Sequence, residues 1–513
     1  MLLSIVLYLS FGVTVLARAS LPRAQFRVRL SGQTTGGIIQ GHASKWQPEV
    51  SEYLGIPFAQ PPIGDLRFAA PKPNTFNGTL IASEFGSSCP SNLAPSADTS
   101  INYESFPKTL LSLLGQAGDK YDEDCLTLNI WSKPQVGEKA KAVLLWIYGG
   151  GFGSGNTRNP SYNGARLAND NDVVVVSINY RVNIYGFPRA PFLPDLNLGL
   201  LDQRLAVEWV RDNIAAFGGD PKRITLFGQS AGGASVDYYT FAWTKDPIAA
   251  GYIPESGTAA NTGAPLTNAS ASWYGVTQKL GCGGAEAGES TLVCMRKQKW
   301  QDITNAIEKR GVTPNMGAGG FGPTTDEKIV FSDYSRRRAE GNFIKAPMLV
   351  GSAGNENGFY QLLAKSRNAT AVPGSAPAAA PSFNANIIGC GASPAATARR
   401  THGVNAWRYV YAGEWPNQDI GIPGSWHGSE IGFIFGSTEY SSRRPDTPEE
   451  VNMSEKIRAA WTGFAKDPVN GLGKLGWPLY DASAATVVRI GGPNSSEIAF
   501  EKKEKFDRIC SSL

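Results

Sequence analysis

Ile224-Thr225-Leu226-Phe227 followed by Gly228-Gln229-Ser230-Ala231-Gly232 is the stretch that decides the fold. The first four residues are β-rich and apolar, and the next five read G-x-S-x-G. Ala231 to Tyr239 then continues as a predicted helix. A strand that turns sharply into a helix needs small residues around the turn because the backbone is crowded there. Such a turn leaves its central serine exposed as a candidate nucleophile. The pentapeptide alone is a weak signal, and an ordinary glycine-bounded turn is the competing reading. A strand before it and a helix after it favour the nucleophile, and the N-terminal helix dipole would favour a nearby oxyanion.

Working outward, Val143–Tyr148, Val173–Ile178, Pro347–Val350 and Trp407–Tyr411 read as further buried strands. Leu200–Ile214 carries Leu201, Leu205 and Trp209 at helical spacing. Continuous apolar strands alternating with helices predict an α/β fold with a large, mostly parallel central sheet covered by helices. Gly36–Phe58 reads instead as N-terminal antiparallel hairpins. The less regular stretch from about 260 to 345 reads as helical insertions within one catalytic domain spanning 20–513.

A glycine loop, Gly149-Gly150-Gly151-Phe152, directly follows the strand Val143–Tyr148. Three glycines let backbone N–H groups approach a substrate oxygen. A phosphate loop would require a terminal Gly-Lys-Ser/Thr, which is missing. The chain has three histidines as candidate bases. On this kind of scaffold the order is serine, acid, histidine. His427, in Trp426-His427-Gly428-Ser429-Glu430, fits that order, with His402 as the fallback; His42 precedes the serine. For the acid, Glu356 stands just past the strand Pro347–Val350. Asp326 is its rival, with no clear strand in front of it.

The 513 residues carry 48 basic and 44 acidic side chains, for a net charge of +4. No basic run reaches the density of a nucleic-acid surface, and Arg336-Arg337-Arg338 reads as a solvated helix face. Leu2–Leu16 is an apolar run followed by Ala17-Arg18-Ala19, so residues 1–19 are predicted to be a signal peptide. No later segment has the length and apolarity of a spanning helix. The expectation is a secreted, extracellular protein. Six cysteines agree with an oxidising compartment, although six allow fifteen pairings. With no C-x-x-C and few histidines, no metal site is expected. Sequons at Asn77, Asn268, Asn368, Asn452 and Asn494 are candidate glycosylation sites.

The nucleophile segment, taken from Phe217-Gly218-Gly219-Asp220-Pro221 through Gly232, resembles a signature of the type-B carboxylesterase/cholinesterase family of α/β-hydrolases. Glu123-Asp124-Cys125-Leu126-Thr127-Leu128-Asn129 resembles that family's second signature. Tyr53–Ala59 and Tyr148–Phe152 are similar to further family segments. The likeness runs from about Gly36 to the C-terminus and is closest to secreted fungal members. It implies an α/β-hydrolase fold and a triad of Ser230, Glu356 and His427. It also implies an oxyanion hole from the N–H groups of Gly150, Gly151 and Ala231, with Ser256 as a supporting serine near the acid. Cys89–Cys125 and Cys282–Cys294 match family disulfides, leaving Cys390 and Cys510 as the third pair. No cofactor is implied.

Three departures stand out. Gln229 occupies a position where the family often has Glu, which removes a charge favourable to cationic substrates. The Cys89–Cys125 loop has no Trp, and Asn357 separates Glu356 from Gly358. These argue against a cholinesterase and for carboxylesterase or lipase-like action on a small-molecule or lipid ester. Phe106, Leu110, Leu113 and Leu114 give the loop an apolar helical face, which reads equally as a lid or as a permanently packed segment. A transacylase or lactonase using the same triad, and an inert adhesion module, are the competing functions.

Overall fold

The computed structural model describes residues 31–91, 102–134, 140–259, 270–307, 320–369 and 385–512. The predicted signal peptide, Asn268 and the side chain of Asn368 lie outside the described residues. The apolar runs form strands buried on both faces. These are β7 (Lys141–Ile147), β8 (Val174–Ile178), β9 (Gly219–Gln229), β10 (Gly251–Glu255), β11 (Met348–Ala353) and β12 (Ala406–Tyr411). Every residue of β7, β8, β10, β11 and β12 is buried. That pattern requires cover above and below the sheet.

Before them in the chain come β1 (Ser31–Thr34), β2 (Gly37–Gln40), β3 (His42–Ala43), β4 (Ser51–Pro57), β5 (Thr79–Ile81) and β6 (Thr127–Ser132). After them come β13 (Val487–Gly492) and β14 (Ser495–Glu501). The central sheet has eleven strands in the order β14-β13-β12-β11-β10-β9-β7-β8-β6-β4-β3. From β8 through β13 neighbouring strands are parallel. The edges are antiparallel, at β13/β14 on one side and β8/β6/β4/β3 on the other. A β1–β2 hairpin with β5 alongside forms a small separate sheet. The chain therefore has the α/β-hydrolase fold, with the hairpin-rich N-terminal region expected from the sequence.

Helices fill both faces. Leu198–Asn213 and Ala231–Ala242 pack through Val207, Val210, Val236 and Tyr239 into one core. Pro448–Lys466 packs through Met453, Ile457, Trp461 and Phe464 into the other. Pro448–Lys466 starts at a capping box between Thr447 and Glu450. The insertion helices Ser270–Lys279, Ser290–Lys297 and Trp300–Ala306 do not stand apart. They cluster around Trp273 with Phe68, Tyr185 and Leu198 of the main body. Arg67 ties them further, donating from Nη1 to Met295 O at 2.9 Å and from Nε to Glu123 Oε1 at 2.6 Å. The disulfides join Cys89 to Cys125, Cys282 to Cys294, and Cys390 to Cys510.

One surface reading needs correction. The arginine triplet lies on the helix Tyr334–Glu340, where Arg336 is exposed and Arg337 is half-buried over the Phe331 ring. Arg338 turns inward and reaches Asp237 Oδ2 at 3.3 Å, beside Arg399, whose Nη2 reaches Asp237 Oδ1 at 3.2 Å. Asp237 is fully buried and also accepts the Ala259 N–H at 3.0 Å. It thus fastens three elements together behind the Ser230 turn. Removing one partner of a buried ion cluster leaves the others uncompensated. Asp237→Asn is expected to lower the unfolding free energy by about 3–5 kcal/mol, read from the denaturant midpoint at constant slope.

Candidate active site

Ser230 terminates β9 and opens the helix Ala231–Ala242 with φ 60° and ψ −122°. A non-glycine residue reaches this region only when its surroundings impose it. Here they do. The Ser230 N–H donates to Glu255 O at 2.8 Å, and its carbonyl accepts the Ala234 N–H at 2.9 Å. The neighbouring glycines make the turn possible. A Cβ on Gly232 would stand 2.0 Å from Ile147 O, one on Gly228 2.6 Å from the same oxygen, and one on Gly257 2.1 Å from Ser230 O. The G-x-S-x-G pattern therefore reflects backbones from β7 and β10 pressing on the turn. Gly149 is confined likewise: its Cβ would lie 2.9 Å from the Ser230 Cβ.

Glu356 and His427 meet in a separate pair of loops, and His427 lines a cavity with Ser230. The loop after β11 and the loop before the helix Ile431–Phe435 are joined by a bridge between Asn355 and Trp426. The Asn355 N–H donates to Ser425 O at 2.9 Å. The joined loops bring Glu356 Oε2 into hydrogen-bond contact with His427 Nδ1. Glu356 Oε1 accepts the Ala353 N–H at 2.9 Å, and Ser256 Oγ lies 3.3 Å from the same nitrogen. Ser256 thus stands next to Glu356. Gly358 also has a reason to be glycine, since its Cβ would meet the Trp426 Cβ at 3.2 Å. The intervening Asn357 leaves this close approach intact.

His427 is 6% exposed, and its Nε2 has no hydrogen-bond partner among the described residues. Ser230, His427 and Gly150 line one cavity. No direct Ser230–His427 hydrogen bond is formed. Gly151 follows Gly150 with φ 62°, and Ala231 begins the helix behind the serine. The rival residues lie elsewhere. His402 Nε2 contacts Ala339 O at 3.1 Å, and its ring packs on Phe343. Asp326 accepts backbone N–H groups from Lys328, Ile329 and Val330, together with the Asn197 amide. His42 contacts Ala43 O and Glu52.

A match to the Carboxylesterase family covers residues 28–373 and 365–508. The chain belongs to that family. Among its relatives, a chlorogenic acid esterase of Aspergillus niger is 35% identical over 86% of this chain and 83% of its own length. A secreted lipase 5 of Gibberella zeae is 34% identical over 94% of each chain. The solved structure of a PNB esterase superposes with a TM-score of 0.75 at 26% identity, covering 94% of this chain and 99% of that one. The protein is accordingly a carboxylesterase-type ester hydrolase.

Sequence reasoning missed a second carboxyl pair beneath the site, although Glu430 stands three residues after His427 and Glu255 directly before Ser256. Both are fully buried. Trp461 Nε1 donates to Glu255 Oε1 at 2.7 Å, but Glu255 Oε2 and both Glu430 oxygens have no partner among the described residues. Burial, and then the nearby Glu356 charge, push the Glu430 carboxyl up to about 8. Burial, and then Glu430, hold Glu255 well above the usual carboxylate range. A carboxyl raised in the folded state binds its proton more tightly there than in the unfolded chain. Its folding penalty therefore grows as pH rises from about 4.5 toward 8 and levels off above. Glu430→Gln is expected to flatten this decline: its melting temperature should fall less than wild type's between pH 5 and 8.

Proposed function

We propose that the chain is an exported serine esterase acting through an acyl-enzyme on uncharged, mainly apolar esters. The observation that carries this reading is the joint placement of Ser230 and the Glu356-held His427 on a cavity whose lining includes no Asp, Glu, Lys or Arg. One wall is apolar, formed by Phe106, Leu110, Leu113, Phe359 and Trp426. The helix Phe106–Leu114, inside the Cys89–Cys125 loop, supplies three of these five and would serve as the lid over the acyl group. A charged substrate would lose its hydration here with no counter-ion facing it.

Ser230 Oγ attacks the ester carbonyl while His427 Nε2 takes its proton. The N–H groups of Gly150, Gly151 and Ala231 receive the developing oxyanion, and each such donor is typically worth about 3–4 kcal/mol. His427 then protonates the leaving alcohol. A water, deprotonated by the same nitrogen, attacks the acyl-serine and releases the acid. Glu356 holds the imidazole with Nε2 toward the cavity. Residues 20–513 act as one catalytic unit after removal of the first nineteen.

The wild type should hydrolyse p-nitrophenyl acetate, butyrate and palmitate, with the rate profile across the three reporting the depth of the apolar wall. Ser230→Ala should lose at least about a thousandfold in kcat. A tagged fluorophosphonate should label the wild type and not the variant. Undiminished turnover by Ser230→Ala would remove the serine from the reaction.

Export also exposes the sequons to glycosylation. Asn77 and Asn494 are exposed, Asn494 at the tip of the β13–β14 hairpin. Asn452 lies within the helix Pro448–Lys466 and spends its amide on Ser496 Oγ at 2.7 Å. Glycopeptide mapping from a eukaryotic host should find glycan at Asn77 and Asn494, and Asn452 bare.

A further inference from the structure

Besides its apolar wall, the cavity carries two buried glutamines, each with one amide atom that has no partner among the described residues. Gln229 and Gln418 both line it, and each is 6% exposed. Gln229 Nε2 and Gln418 Oε1 are buried without a hydrogen-bond partner among the described residues. The two amides flank one stretch of chain. A Cβ on Gly428 would stand 3.4 Å from Gln229 Nε2, and one on Gly432, a helical turn on, 3.1 Å from Gln418 Nε2. Larger residues at either glycine would crowd these amides. The other buried amides near the cavity are already occupied. Gln116 accepts from Ser91 and donates to Asp119, and Asn156 accepts from the Arg158 and Asn159 N–H groups.

A buried donor and a buried acceptor, both unmet, in residues lining a cavity without charge call for neutral ligand groups that can accept a hydrogen bond at one and donate at the other. A hydroxyl is the smallest group that does both. We propose that Gln229 and Gln418 are specificity-determining residues that select neutral esters bearing a hydroxyl group, held beside the apolar part that packs on Phe106, Phe359 and Trp426. This inference rests on the esterase reading above and adds the substrate class to it. Gln229 Nε2 donates to a hydroxyl oxygen of the ester, and Gln418 Oε1 accepts a hydroxyl proton of the ester. Glu at position 229 would offer no donor when ionised, so glutamine is the residue this recognition needs. A site built to hydrogen-bond a hydroxyl discriminates against an analogue lacking it, because the site's own polar groups are then left unpaired.

The test uses the mature protein and two substrate pairs differing only in hydroxylation. Methyl 4-hydroxycinnamate against methyl cinnamate probes the acyl side. Glycerol monobutyrate against propyl butyrate probes the alcohol side. The wild type should favour the hydroxylated member of at least one pair by about tenfold or more in kcat/KM. Gln418→Leu and Gln229→Met should each bring that ratio toward one. Thermal unfolding will show whether each variant is folded, and Gln418→Met, closer in shape, supplies the reading if the leucine variant is not. Turnover of both pairs at equal efficiency, or a preference that survives both substitutions, overturns the inference alone. A wild type that hydrolyses none of the four esters overturns the esterase reading and this inference together.

Discussion

The arrangement of the site depends on one crowded turn. Ser230 can hold φ 60° because its N–H is bound by Glu255 O and its carbonyl by the Ala234 N–H. The chains around it approach closely enough that a Cβ on Gly228, Gly232, Gly233 or Gly257 would collide with backbone. Backbone strain of this kind costs of order 1–3 kcal/mol and persists only where the surroundings over-determine it. Here the determinant is the central parallel sheet, since β9 lies between β7 and β10. The fold therefore does more than carry the serine. Sheet packing, glycine placement and the direction of the Ser230 side chain form a single constraint.

The electrostatics follow from the same burial. Glu356, Glu255 and Glu430 are all buried close together. Three ionised carboxylates in that space would repel one another and lack solvent to screen them. The molecule resolves this by treating them differently. Glu356 has the Ala353 N–H and His427 as partners. Glu430 has none among the described residues, and its raised pKa keeps its proton at neutral pH. The acid oriented toward the histidine is thus the one with a partner on each oxygen, whereas Glu255 has the Trp461 indole on one oxygen only. This difference in hydrogen bonding gives neighbouring carboxyls different roles.

Most of the framework was legible in the sequence because it depends on local patterns. Val143–Tyr148 and Val173–Ile178 are continuous apolar runs, and they became β7 and β8 nearly residue for residue. The glycines around Ser230 announced a tight turn because only close backbone contacts require several of them together. β9 proved longer than the run that announced it, beginning at Gly219, since polar residues such as Lys222 can extend a strand at its exposed end. What could not be read were contacts between distant segments. Arg338 looked like one of three solvated arginines, yet a buried partner 101 residues away turned it inward. The Glu255–Glu430 pair and Gln418 were equally silent. A lone Glu or Gln at the end of an element has no periodicity, and the burial of Glu255 depends on a helix, Pro448–Lys466, arriving late in the chain.

The neutrality of the cavity connects these levels. Gln229 directly precedes the nucleophile, where a carboxylate would place a charge on the substrate side of the turn. With glutamine there, and with Glu255 and Glu430 raised in pKa beneath the site, no fixed charge faces the cavity. In so apolar a space the discriminating forces are shape and hydrogen bonds rather than long-range attraction. Each unmet polar atom on the wall then weighs more, because water is a poorer competitor inside than outside. On the inference above, the cavity's selectivity rests on a few atoms, the amides of Gln229 and Gln418 above all, beside a wall of apolar side chains.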